Sequence, residues 1–486
     1  MDIFWEFIID MKSDTITAVA TGMVDSGIAI IRISGEDAIQ IVDKIYESKS
    51  GRSCFRDFSS HTIHYGYIVD KSNYGDIPQR NVIDEVMVSL MKAPNSYTAE
   101  DTVEINCHGG VLMAKRILET VIRNGARLAE PGEFTKRAFL NGRIDLSKAE
   151  AVMDIIHSKN KLALKNSVDQ LRGSVFNLIQ KLRNDILYEI AYIESALDDP
   201  EHISLEGYRE KLSEKTDDIL SSLKKWMDSF DNGKIVKEGI RTVIVGKPNV
   251  GKSSFLNLFI GEEKAIVTDI AGTTRDVLEE SIYLNGIHLN MVDTAGIRQT
   301  EDKVEEIGVG KARKYADEAD LILYVIDASV PLDENDYDIM EMISDKKFII
   351  LLNKTDLEPC VTEEMVKNEL LLKIPEGFPA GFPLIRTSVK ESKGMDLLEE
   401  MIKDMFFHGD ISYDNEVVIT NLRHKEALMD AYESMSQVKI SLENDMPEDF
   451  YSIDLMNSYA SLGKIIGEEV GEDLVNEIFS KFCMGK

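Results

Sequence analysis

Cysteine is scarce: Cys54, Cys107, Cys360 and Cys483 are the four in 486 residues, and no two form a CxxC pair. That excludes a disulfide framework and the usual thiolate zinc spacings, and fits a reduced cytosolic protein. The eight histidines are equally scattered, with no HExxH. No apolar run approaches the ~18 residues of a membrane span. The opening "MDIFWEFIID" lacks the basic segment of a signal or transit peptide. Basic residues are also short, 55 Lys+Arg against 86 Asp+Glu, for a net charge of −31. Such a balance opposes unaided, non-specific binding of nucleic acid, which relies on counterion release by a basic surface. One window departs from it: Glu133 to Asp185 holds ten Lys/Arg and six Asp/Glu, a net of +4. A solvated helix face is the plainer reading of that excess, and a local patch for a polyanion is the other.

Three textures follow one another. From about Asp14 to Ile122 the chain reads as mixed α/β, with "GIAIIRISG" and "DEVMVSLMKAP" as strands and "EDAIQIVDKIY" as a helix. From about Gly132 to Lys234 helices dominate. Phe176, Ile179, Leu182, Ile186, Ile190, Ile193 and Leu197 recur at helical spacing. From about Gly239 to Phe406, the strands "RTVIVG", "IHLNMVD", "DLILYVID", "KFIILLNK" and "FPLIRTS" alternate with helices, the rhythm of a doubly wound sheet. After His408 the helical texture returns, with Leu428, Ala431, Tyr432, Met435, Val438 and Leu442 on one face. The expected fold is therefore multidomain α/β, with a helical domain interrupted by an inserted doubly wound domain. The expected boundaries are 11–130, 131–238, 239–409 and 410–486.

"GKPNVGKSS", Gly246 to Ser254, fits GxxxxGK[ST] between a strand and a helix. Backbone N–H groups of Asn249, Val250, Gly251, Lys252, Ser253 and Ser254 would cradle phosphate at the helix N-terminus. Lys252 would reach the β- and γ-phosphates and Ser253 would ligate Mg²⁺. "DTAG" (Asp293, Thr294, Ala295, Gly296) follows 41 residues after Lys252, suited to a water-mediated Mg²⁺ contact and a γ-phosphate amide. "NKTD" (Asn353, Lys354, Thr355, Asp356) ends a later strand, and Asp356 can accept two hydrogen bonds from guanine. Adenine would leave that carboxylate unpaired. Ser388, Val389 and Lys390 of "TSVK" would offer amides to guanine O6. Four motifs in this order point to GTP.

One expected group is missing. The position after DTAG, where small GTPases carry a water-orienting glutamine, is Ile297, which has no hydrogen-bonding side-chain atom. Either nucleotide is held without efficient hydrolysis, or hydrolysis runs by other means. The loop Thr268, Asp269, Ile270, Ala271, Gly272, Thr273, Thr274 lies where a first switch belongs, with Thr274 suited to Mg²⁺. Asn249 is either a loop-shaping residue or, with carbonyls of that loop, a ligand to a monovalent cation.

At these residues the chain resembles the TrmE-type GTPases, a potassium-activated branch related to translation factors. "NSYTAEDTVEINCHGG", "PGEFTKRAFLNGRIDLSKAEA" and "IFSKFCMGK" resemble the tRNA-modifying members, from about Ser13 to Lys486. Met1 and Met11 are alternative starts. The resemblance implies a homodimer whose N-terminal domain binds tetrahydrofolate (5-formyl or methylene form) and dimerises. It implies a heterotetramer with an FAD-dependent partner of the MnmG/GidA type. It further implies a bacterial cytoplasmic enzyme that adds a (carboxymethyl)aminomethyl group to C5 of the wobble uridine of certain tRNAs. Arg32, Glu104, Arg143 and Lys486 fall on the folate-contacting positions; Arg143 stands where several relatives carry Lys. Read without the resemblance, each is a surface charge or structural ion pair. Asn249, the Thr268 and Ile270 carbonyls and Thr273 would hold K⁺, and Glu305 in "KVEEIG" matches the catalytic glutamate that orients water. Cys483 reads as a small buried group and is not assigned to catalysis. The competing readings are a ribosome-assembly GTPase, for which no second G domain or basic GxxG is present, and a non-enzymatic GTP switch, which Ile297 would favour.

Overall fold

A computed structural model describes residues 14–49, 54–70, 81–262, 280–284, 287–292, 316–344, 346–373, 383–407, 418–468, 470–483 and 485–486. The chain folds as two compact units, Met1–Ile156 with Asp169–Leu212 and Glu433–Lys486, and His157–Val168 with Ser213–Tyr432. The larger part of the second is thus inserted between two segments of the first.

In the first unit, β1 (Ile16–Val19), β2 (Ser26–Ser34), β3 (Tyr46–Ser48), β4 (Thr62–Asp70), β5 (Asn81–Met91), β6 (Thr102–Gly109) and β7 (Arg127–Leu128) form one sheet. Its order is β3-β4-β5-β6-β2-β1-β7, antiparallel throughout except for the β1–β7 pair. Side chains alternate between faces along a strand. Ala29, Ile31 and Ile33 of β2 therefore share a core with Ile41 and Val42 of the helix Ala38–Ile45 and with Ile117 and Val121 of Val111–Arg123. The same alternation turns Arg32 to the other face, directly across from Glu104 of β6 in the strand register.

The helices Ser174–Asp198 and Glu448–Ile466 belong to the same unit. Ile179, Leu182, Ile186, Ile190 and Ile193 are buried as their spacing predicts, but Leu197 is 42% exposed and Phe176 is only half-buried. Val175 and Ala196 take the inner positions at the two ends, because one residue along a helix turns the side chain by about 100°. The basic window is likewise not simply a solvated face. Lys136, Arg137 and Arg183, three of its ten cations, are 9%, 2% and 2% exposed. Lys136 Nζ donates to Asn476 Oδ1 at 2.7 Å. Arg183 pairs with Glu468 and lies over the Tyr459 ring. Arg137 is enclosed by Asp14, Glu100 and Glu133. A buried charge is costly without partners, so these three serve packing.

The second unit holds β8 (Ile240–Val245), β9 (Glu280–Leu284), β10 (Ile287–Met291), β11 (Leu321–Asp327), β12 (Phe348–Asn353) and β13 (Leu384–Arg386). They form a sheet of order β13-β12-β11-β8-β10-β9, parallel except at the β9–β10 edge. Leu321, Leu323 and Val325 of β11 enter one core, and Ile322, Tyr324 and Ile326 enter another. A strand apolar on both faces is what a parallel sheet covered by helices on both sides requires. This is the doubly wound sheet that the sequence rhythm predicts. Among the described residues no helix is long and apolar enough to cross a membrane.

Candidate functional site

β8 ends at Val245, and the chain turns through Gly246 to Gly251 into the helix Lys252–Glu262. The turn needs its glycines. Gly246 has φ +148°, and a Cβ there would meet the Val325 carbonyl oxygen at 2.4 Å. Gly251 has φ +108°, and a Cβ would meet Asn353 Nδ2 at 2.5 Å. Asn249 has φ 63°, left-handed for a residue with a side chain, so it shapes the loop. Its side chain has no partner among the described residues, which leaves the amide oxygen open as well. The first intrahelical bond at this end runs from the Phe255 amide to the Gly251 carbonyl at 2.9 Å. The first turn of this helix, from Lys252, consequently points its backbone amides into the loop, ahead of the first helical carbonyl that accepts. Lys252 Nζ folds over the loop, donating to the Gly246 and Lys247 carbonyls at 2.6 Å each. Burial pulls its pKa down to about 8. Lys247 itself is tied away from the loop by Asp333 and Asp336, which form the capping box of the helix Glu334–Ile343.

The base side is built on the ends of β12 and β13. Asn353 Nδ2 donates to the Val250 carbonyl at 2.8 Å, and the Val389 amide donates to Asn353 Oδ1 at 3.4 Å. Ser388 Oγ donates to Asp356 Oδ1 at 2.8 Å, fixing an exposed carboxylate whose other oxygen is open. Thr355 bonds the Thr387 carbonyl through both its amide and its hydroxyl. Lys354, at φ 60°, donates to Asp327 Oδ2 at 2.6 Å. Burial raises the Asp327 carboxyl, but Lys354 and Ser329 outweigh it and hold the pKa below the ordinary value. Of the three amides expected to face guanine O6, Ser388 is bonded to the Lys393 carbonyl and Val389 to Asn353. Only the Lys390 amide has no partner among the described residues. Ser388 is expected at the site for its amide, but the role of its hydroxyl is not legible in the sequence, and neither are Asp327 and Lys247, since each acts through a partner far away in the chain.

Thr268 to Thr274, Asp293 to Gly296, Ile297 and Glu305 lie outside the described residues, so the switch, the DTAG loop and the water-orienting position carry no geometry here.

A second constellation sits on the other face of the first unit's sheet, beside the buried Ala18 and Phe134. Arg32 Nε donates to Glu104 Oε1 at 2.8 Å, and Arg32 Nη1 to the Gly485 carbonyl at 3.1 Å. The Arg32 guanidinium is 5.4 Å from the Tyr97 ring centroid, and that of Arg143 is 5.1 Å from the same ring. Burial lowers the Lys486 amine, and the positive charge of Arg32 lowers it further. Arg32, Glu104, Arg143 and Lys486, spread over more than 450 positions in sequence, thus converge. Tyr97, the ring at their centre, was missed by the sequence reading; its presence in "NSYTAEDT" gave no chemical signal. Cys483, expected to be buried, is exposed. The terminal turn places it at the surface while its carbonyl accepts from the Gly132 amide at 3.3 Å. Among the described residues no group of His, Cys, Asp and Glu has the makings of a metal-ion cage.

Sheet order, the glycine-permitted phosphate loop after the central strand and the anchored base loop define a Ras-like P-loop nucleotide-binding domain. The description "GTP-binding protein TrmE N-terminus" fits residues 15–143, and "MnmE helical domain" fits residues 146–483. A protein called tRNA modification GTPase MnmE from Lachnoclostridium phytofermentans is 55% identical over 476 residues, 98% of this chain and all of that protein. Proteins of the same name from Clostridioides difficile and Bacillus subtilis are 47% and 45% identical, over 97% of this chain and 99% and 100% of their own lengths. The chain belongs to the MnmE (TrmE) family.

Proposed function

We propose that this chain is a GTPase of tRNA modification, the activity by which its relatives are named, and that potassium activates it. The observation that carries the nucleotide half is the hydrogen-bonded joining of phosphate loop and base loop through Asn353, with Asp356 aimed by Ser388. Guanine offers N1–H and an exocyclic amine to such a carboxylate, and adenine does not. Lys252 would exchange its two loop carbonyls for phosphate oxygens, and Ser253 with Thr274 would hold Mg²⁺. The phosphate cradle fits these groups, because both glycine positions leave room only for backbone.

A potassium ion bound by Asn249, the Thr268 and Ile270 carbonyls and Thr273 would offset charge growing between the β- and γ-phosphates, as an arginine finger does elsewhere. Glu305 then orients the attacking water in place of the glutamine that Ile297 replaces. On the other unit, Glu104 suits the amine and ring N–H of a pterin, Tyr97 offers a stacking face, and Arg143 and Lys486 suit an anionic glutamate tail. Tetrahydrofolate there supplies the one-carbon unit. With an FAD-dependent partner, in a heterotetramer built on a homodimer, the enzyme modifies C5 of the wobble uridine of certain tRNAs in the cytoplasm. Mass spectrometry of wobble uridines tests this: a deletion strain should lack the modification and regain it with the wild-type gene, and intact modification in the deletion strain would sink the reading.

A further inference from the structure

The segment that closes the helical part of the first unit is apolar on two sides. In the helix Glu448–Ile466, Tyr451, Leu455, Leu462 and Ile465 face the interior. Phe450, Ile453 and Met456, at intervals of three, form a second stripe that is 51%, 60% and 56% exposed, and Met446 in the preceding turn is 40% exposed. A helix apolar on both faces is ordinarily covered on both. From Glu443 to Gly463 the chain carries five carboxylates and no Lys or Arg. One of them, Asp454, lies one turn from Phe450 at the edge of the stripe. It is half-buried, burial raises its pKa, and no cation or hydrogen-bond donor meets it among the described residues. A cavity of about 370 Å³ lined by Tyr208, Arg209, Asp445, Met446, Glu448 and Tyr451 opens at the head of the stripe, where Arg209 pairs with Asp445.

We propose that this stripe is the docking surface for an amphipathic helix of the FAD-dependent partner, whose apolar residues cover Phe450, Ile453 and Met456 while a Lys or Arg pairs with Asp454. The proposal rests on the partner reading given above. Helix-on-groove recognition uses anchors at this spacing, methionines adapt to such faces, and the cavity suits one large anchor side chain. The charge selects the occupant. A second copy of this chain would set one acidic stripe against another, and RNA or an anionic lipid surface would meet four carboxylates beside the Arg209–Asp445 pair. A partner helix carrying cations satisfies Asp454 and removes the apolar area from water together.

The test is equilibrium binding of the full chain to the purified FAD protein, comparing wild type with a Phe450→Glu/Ile453→Glu double variant and with Asp454→Lys. Both variants should weaken the complex by about tenfold or more, with circular dichroism, melting profile and GTP turnover unchanged. Wild type failing to bind the FAD protein would remove the partner reading itself. A wild-type complex with affinity retained within about threefold in both variants would overturn the docking surface alone. Loss of self-association or of tRNA binding, with the FAD complex intact, would overturn it too and assign the stripe to a second copy or to RNA.

Discussion

The side chain of Asn353 reaches from the end of β12 to the backbone of the phosphate loop, its Nδ2 2.8 Å from the Val250 carbonyl. The same amide occupies the space that a Cβ on Gly251 would need, 2.5 Å away. Phosphate loop and base loop, a hundred residues apart, are therefore one hydrogen-bonded body, and neither is expected to bind nucleotide well without the other.

Gly251→Ala should accordingly cost more than a methyl group suggests, through both φ +108° and the clash with Asn353. Asn353→Ala leaves the Val250 carbonyl unpaired without the clash. Titration with a fluorescent GTP analogue should show about tenfold weaker binding for Asn353→Ala and a larger loss for Gly251→Ala. Wild-type affinity in either would contradict the coupling.

Asp356→Asn places an amide donor where guanine also donates. GTP affinity should fall by about a hundredfold or more, with xanthosine triphosphate gaining relative to GTP. Ser388→Ala, which only frees the Asp356 carboxylate to rotate, should cost about three- to tenfold. GTP binding by the Asp356 variant within about threefold of wild type would reject the guanine assignment.

The Tyr97 cluster gives a prediction on the other unit. Calorimetry with 5-formyltetrahydrofolate should show binding abolished by Arg32→Ala or Glu104→Ala and weakened by Tyr97→Ala, while GTP hydrolysis stays largely intact. Unchanged affinity in the first two variants would mean that this ion pair is structural only.

Ile297 sets up the prediction on turnover. Hydrolysis should be fast in potassium, slow in sodium, and should rise with protein concentration as two nucleotide domains meet. Asn249→Ala should remove the potassium response, and Glu305→Ala should slow hydrolysis without weakening GTP binding. Equal rates in matched potassium and sodium chloride would restore the passive-switch reading.

Acid should loosen the start of the first unit. Burial raises the Asp14 and Glu133 carboxyls, yet Arg127 and Arg137 outweigh it and hold both below their ordinary values of 3.8 and 4.5. A depressed carboxyl stabilises the fold above its ordinary value, and that stabilisation is lost as pH falls through the folded value. Hydrogen exchange in the helix Glu133–Leu140 should therefore quicken below about pH 4 in wild type. In Glu133→Gln it should be faster at neutral pH already and less pH-dependent; identical profiles would refute the network's role.

Much of the nucleotide domain was legible because its chemistry is local. Gly246 to Ser254 needs particular residues at fixed spacing after a strand, and the apolar runs of β8, β11 and β12 mark those strands directly. The ends of the helix Ser174–Asp198 were not legible in the same way, since Val175 and Phe176 are both apolar and only the neighbouring helix decides which turns inward. The basic window misled for a related reason: composition counts Arg137 and Arg183 as charge, and packing buries them.

By itself, then, the sequence determined the periodicities, the phosphate and base motifs and their order, because each depends on residues within a few positions of one another. Only the tertiary structure decided which distant groups meet. Arg32, Tyr97, Glu104, Arg143 and the terminal Lys486 come together because strand register sets β2 against β6 and the terminal turn returns to Arg32. Ser388 aims Asp356, and Asp327 holds Lys354, because adjacent parallel strands end side by side. No spacing rule encodes such pairings, since they are fixed by the burial of both sheet faces and not by the residues that the burial brings into contact.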